Sequence, residues 1–141
     1  IVDCWSIDLK FATNRCADRL AASDEARYRQ HVDASLDRIH AGIAAASQPA
    51  MPKLLIRHLL LPDHLQCCTL PLIDEIAARW PQATLNLMTT FLPFGPALAG
   101  DNAAPELRRM NSAEDRAKAV AALRRALPGA LVDGQPIWQP H

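Results

Sequence analysis

Asp8 and Lys10 close the first strand-like run of this 141-residue chain, Arg57 sits within the second, and Asn86 and Met88 end the third. In parallel α/β proteins ligands gather beyond the carboxyl ends of the strands, and charged groups converging there suit an anion or a zwitterion. Asp8 and Lys10 share a strand parity, so both face one side, and Arg57 joins them if the odd residues of its strand point the same way. Asn86 and Met88 share the even parity of theirs. An Asp–Lys or Asp–Arg ion pair closing the sheet end is the plainer use of the same residues, and both readings stay open here.

Arg57 and His58 interrupt an otherwise apolar stretch, Lys53-Leu-Leu-Ile-Arg-His-Leu-Leu-Leu-Pro62. So apolar a run reads as a strand covered on both faces. Its charged pair points to opposite faces, and a charge buried there needs a partner. Arg57 is therefore assigned to a polar ligand site. His58 is expected to be a core histidine bonded to a carbonyl. His64, just after Pro62-Asp63, borders the same strand end. His31 and His40 lie nine residues apart on a long helix, not at a ligand spacing, and are expected on its surface.

The cysteines stand at 4, 16, 67 and 68. Gaps of 12, 51 and 1 match no zinc ribbon, redox Cys-x-x-Cys or disulfide framework, so free thiols in a reducing, cytoplasmic setting are expected. Cys67-Cys68 reads as an inert helix start, since neighbouring cysteines rarely chelate one ion, and no metal ligand and no catalytic residue is assigned. Fifteen basic residues balance fifteen acidic ones, which gives no electrostatic case for nucleic acid or an anionic membrane. With half its residues hydrophobic, the chain has the means to build one α/β domain over residues 1–141. No apolar stretch of about 20 residues indicates a membrane span.

The elements that must position these groups follow from periodicity. Val2–Leu9 reads as a strand, Asn14–Ala22 as a short helix, and Ser23 with Asp24 and Glu25 as the start of a long one. Tyr28, Val32, Leu36, Ile39 and Ile43 form its apolar stripe, and Pro49 and Pro52 end it. The strand Leu54–Leu61 follows, then a helix capped by Thr69 with Pro71 in its first turn and Leu72, Ile73, Ile76, Ala77 and Trp80 facing inward. Thr84–Met88 is a third strand, and Thr89–Met110 a long binding loop. Asn111 and Glu114 resemble a capping box for a helix to Leu127 with Ala117, Val120, Leu123 and Leu127 inward. Leu131-Val132 completes the pattern. The alternation predicts parallel β-α-β-α-β-α units.

Ile7-Asp-Leu-Lys-Phe11, Ile56-Arg-His-Leu-Leu-Leu-Pro62, His64-Leu-Gln-Cys-Cys68 and Leu85-Asn-Leu-Met88 together resemble the C-terminal part of radical S-adenosylmethionine proteins, the relatives of pyruvate formate-lyase activating enzyme above all. The resemblance runs along nearly the whole chain. It implies the C-terminal half of a partial (β/α) barrel of the TIM type, S-adenosylmethionine as cofactor, and hydrogen abstraction from a small molecule or a glycyl-radical protein. Asp8, Lys10, Arg57, Asn86 and Met88 match positions near the cofactor. The family's Cys-x-x-x-Cys-x-x-Cys, which holds its 4Fe-4S cluster, is missing, as is its glycine-rich strand end. The chain is thus expected to be inactive alone, to expose an edge strand and inward barrel faces, and to need a cluster-bearing half. The alternative is a non-catalytic α/β module that binds an anionic metabolite or a protein partner.

Overall fold

The computed structural model describes residues 4–21, 27–45, 53–95 and 104–137. Strand β1 (Cys4–Asp8) leads through helices α1 (Asn14–Ala21) and α2 (Tyr28–Ala45) to β2 (Lys53–Leu59). A π-helical turn, Leu65–Thr69, runs into α3 (Leu70–Arg79), followed by β3 (Thr84–Met88), a 3-10 turn (Pro105–Arg108), α4 (Ala113–Ala126), β4 (Leu131–Val132) and β5 (Gln135–Pro136). The sheet order is β1-β2-β3-β4-β5, parallel through β4 and antiparallel only in the last pair. This is the mixed α/β fold that the alternation predicts. The capping residues Ser23, Asp24 and Glu25, the breakers Pro49 and Pro52, and Val2 and Ala22 lie outside the described residues.

The helices cover one face of the sheet. Leu54, Ile56, Leu85 and Leu87 from β2 and β3 are buried against Leu36 and Ile43 of α2, Leu72, Ile73 and Ile76 of α3, and Ala119 and Leu123 of α4. On the other face of β2, Lys53 and Arg57 are exposed and Leu55 and Leu59 half-buried. β2 is thus buried on one side, not on two: Leu55 and Leu59 make its sequence look uniformly apolar although neither is packed under a helix. β1 stands at one end of the strand order and is exposed along most of its length.

Ion pairs and an aromatic ring tie α2 to α3. Arg29 bonds both oxygens of Glu75 at 2.6 and 2.7 Å, Arg79 reaches Glu75 and Asp37, and the Trp80 indole N–H donates to Asp37 at 2.9 Å. Trp80 itself is fully buried, as its place in the α3 stripe predicts. Two cap assignments change. Ser112, not Asn111, caps α4 by accepting from the Asp115 N–H at 2.9 Å. The buried Asn111 amide instead donates to the Leu60 and Thr89 carbonyls, joining the exits of β2 and β3. The fully buried residues of α4 are Ala119 and Leu123, four apart on one face, with Val120 and Leu127 half-buried beside them, while Ala117 is exposed.

His58 is the polar centre of the core. Its Nδ1–H donates to the Leu9 carbonyl at 2.8 Å and its Nε2 accepts from the Thr69 hydroxyl at 2.9 Å. Thr69 therefore spends its side chain on His58 and does not cap α3. Of the two helix histidines, His31 is exposed as expected, but His40 is half-buried.

Burial drives the His58 pKa down to about 4 against the bond to Leu9, whereas the unfolded imidazole titrates near 6.5. The unfolded chain therefore binds the proton first as pH falls. This stabilising contribution is complete above about pH 6.5 and is lost between there and pH 4, about 3 kcal/mol in all. Denaturant unfolding at pH 7 and pH 4 should show this loss for the native chain and a clearly smaller one for His58→Gln. An unchanged pH profile in that variant would contradict the assignment.

Candidate functional site

The strand register puts three of the sequence-selected residues in one lateral row. Asp8 pairs with Arg57 across β1 and β2, and Arg57 with Asn86 across β2 and β3. All three lie on the face that carries no helix among the described residues. Arg57 Nε is 3.3 Å from Asp8 Oδ1, and Lys10 Nζ is 3.7 Å from Asp8 Oδ2. Asn86 accepts the Gly134 N–H at 3.0 Å, which pins the β4–β5 turn to β3. Met88 lies two residues further along β3, opposite Leu59, and is half-buried. The row is shallow, with about two-fifths of the Asp8 and Arg57 side-chain surfaces exposed, so each charge keeps water within reach.

A second group assembles at the exits of β1 and β2, where sequence reasoning assigned no ligand. Cys16 stands in the first turn of α1, whose start is fixed by Thr13 accepting the Cys16 N–H at 3.2 Å. The chain leaving β2 turns at Pro62-Asp63, where Asp63 takes a positive φ of 63°, and enters the π-helical turn. There the His64 carbonyl accepts from the N–H groups of both Cys68 and Thr69. A π turn advances less per residue than an α turn, so residues that would diverge around an α-helix are brought together, and such turns recur at functional sites. Cys67 Sγ consequently lies 3.9 Å from Cys68 Sγ, 3.9 Å from Cys16 Sγ and 3.3 Å from His64 Nδ1. Cys68 Sγ is 4.0 Å from the same nitrogen, and the four donor atoms all lie within 4.8 Å of one another.

The outer side of His64 is equally organised. Its Nε2 is 3.2 Å from Glu106 Oε1 and 3.1 Å from Arg19 Nη2, and Arg19 also pairs with Glu106. His64 and Glu106 are almost fully enclosed. The Glu106 carboxyl, despite burial, is held below the usual carboxylate range by its own backbone N–H, His64 and Arg19. An ion pair between Arg109 and Asp63 fastens the same 3-10 turn to the β2 exit.

The thiols influence one another. Burial pushes Cys68 up to about 12, with the neighbouring Cys16 and Cys67 adding to the rise. Burial and Cys16 also raise Cys67. Cys16, against its burial, is lowered by Thr13, its two cysteine neighbours and the Arg19 charge. All are free cysteines, as the spacing predicts, but three of the four share one point. The missed signal is His64-x-x-Cys67-Cys68, a compact donor run whose third thiol lies 51 residues upstream of Cys67.

No family model and no solved structure matches the chain. It is 31% identical over 93 residues to an uncharacterized protein of Methanocaldococcus jannaschii, a stretch covering 66% of this chain and 24% of that relative. The chain therefore spans about a quarter of the relative's length. Among the described residues, no helix is long and apolar enough to cross a membrane.

Because the Asp8–Arg57 pair is solvated, Arg57→Leu should change unfolding free energy by less than about 1 kcal/mol. A loss of about 3 kcal/mol or more in chemical denaturation would mean that Arg57 closes a buried pair and serves the fold, not a ligand.

Proposed function

We propose that the chain is the C-terminal part of a radical S-adenosylmethionine enzyme related to pyruvate formate-lyase activating enzymes, with its sheet forming half of a partial (β/α) barrel. The observation that carries this reading is the sheet face that no helix covers among the described residues, with Asp8, Arg57 and Asn86 in one row across three parallel strands. In a barrel that face turns inward, and the row lies toward the carboxyl ends of the strands, where ligands bind.

The residues suit the amino-acid end of S-adenosylmethionine. Asp8 would accept from its ammonium group, and Arg57 and Lys10 would receive its carboxylate, replacing their present pairing with Asp8. Asn86 and Met88 would border the remainder. The 4Fe-4S cluster, when bound, supplies the electron that cleaves the sulfonium, and its ligands would come from outside these 141 residues. What these side chains do is bind and orient. Exposed ion pairs contribute little to stability, so re-pairing them with a ligand costs the fold little. The same pairs are also what a non-catalytic module would keep at its sheet end.

An NMR titration of the chain with S-adenosylmethionine tests the reading. Shifts are expected at Asp8, Arg57 and Asn86 on the open face, with Arg57→Leu weakening binding about tenfold, the equivalent of one charge-assisted hydrogen bond. Absence of saturable shifts at millimolar ligand, or shifts confined to the helix-covered side, would favour the non-catalytic module.

A further inference from the structure

We propose that Cys16, His64, Cys67 and Cys68 form a closed tetrahedral zinc site, a centre independent of the radical chemistry proposed above. Three sulfurs and one imidazole nitrogen are a complete ligand set for a structural zinc ion. A zinc–sulfur distance of about 2.3 Å places tetrahedral thiolates about 3.8 Å apart and a sulfur and nitrogen about 3.6 Å apart. Four of the six separations are 3.9 and 3.9 Å between sulfurs and 3.3 and 4.0 Å between sulfur and Nδ1, and the two from Cys16 to Cys68 and to Nδ1 lie within 4.8 Å. Core packing alone gives no reason for three thiols and an imidazole to meet at these spacings. An iron–sulfur cluster would put each thiolate on a different iron and hold the sulfurs further apart.

The surroundings fit the same ion. A histidine that binds a metal through one ring nitrogen commonly donates its other N–H to a carboxylate, which fixes the tautomer. Glu106 Oε1 stands at that position, 3.2 Å from His64 Nε2, with Arg19 Nη2 at 3.1 Å beside it; metal on Nδ1 would direct the Nε2 proton to the carboxylate and leave the guanidinium to Glu106. Arg19, paired with Glu106 and close to Cys16, supplies positive charge beside a centre that carries one net negative charge with three thiolates and Zn²⁺. On binding, each cysteine still protonated releases its proton to solvent, and no electron is transferred. The cation removes the mutual repulsion that disfavours thiolates at Cys67 and Cys68. It would also staple α1 to the π-helical turn, two elements far apart in the sequence.

The test is zinc titration of the reduced, metal-stripped chain, with metal content by mass spectrometry and thermal unfolding as a second readout. About one tightly bound zinc per chain and a zinc-dependent rise in melting temperature are expected. Cys67→Ser should abolish both, and Cys4→Ser, which alters the cysteine outside the group, should leave both intact. Glu106→Gln should fold and bind zinc about 10–100-fold more weakly. Substoichiometric or weak zinc binding by the native chain would overturn the proposal. So would zinc binding unaffected by Cys67→Ser, or preferential assembly of an iron–sulfur chromophore from iron and sulfide.

Discussion

One buried imidazole holds the carboxyl end of this sheet together. His58 donates to the Leu9 carbonyl just beyond β1 and accepts from Thr69 at the end of the π-helical turn, so two chain exits are fastened to the carboxyl end of β2. Burying a polar group is tolerable only when its hydrogen bonds are made, and both ring nitrogens are satisfied here. The anchor is local to the chemistry. Leu9 leads into the segment that carries Cys16, and Thr69 directly follows Cys67 and Cys68. Neutral His58 thus sets the separation of the two cysteine-bearing pieces before any ligand arrives, as a preorganised site requires.

The two candidate sites occupy the same end of the sheet in different ways. The row of Asp8, Arg57 and Asn86 is open, hydrated and held by solvated ion pairs and one turn contact, an arrangement that yields easily to a ligand. The cysteine group, with Cys68 buried, Cys16 half-buried and Cys67 at the surface, is backed by an enclosed His64–Glu106 pair and Arg19, an arrangement that resists change. The first has the character of a binding surface and the second that of a structural staple. Their closeness in topology follows from the parallel sheet, which delivers every βα connection to one end.

Much of the fold was legible. Thr84–Met88 is a strand over its predicted bounds, and the Tyr28–Ile43 stripe turns Leu36 and Ile43 into the core, because periodic burial leaves a periodic sequence. The two-sided burial of β2 was not legible, since half-buried leucines on an open face look the same in sequence as fully buried ones. The last hairpin was missed although Asp133-Gly134 is a strong turn signal. Its strands are only two residues long, and the turn is held in part by Asp133 gripping the Thr89 N–H and hydroxyl, a contact spanning 44 residues. Of the site, parity left the meeting of Asp8 and Arg57 conditional on how the second strand is turned, and the parallel register that pairs them across β1 and β2 meets that condition. The cysteine group depended on a π turn and on a contact between residues 51 apart, neither of which has a periodic signature.

The convergence of the β1 and β2 exits on one point is tested most directly by X-ray absorption at the zinc edge of the zinc-loaded protein. Three sulfurs at about 2.3 Å and one nitrogen at about 2.0–2.1 Å are expected. A shell dominated by oxygen or nitrogen, or with a single sulfur, would show that the cysteines and His64 do not meet around one ion.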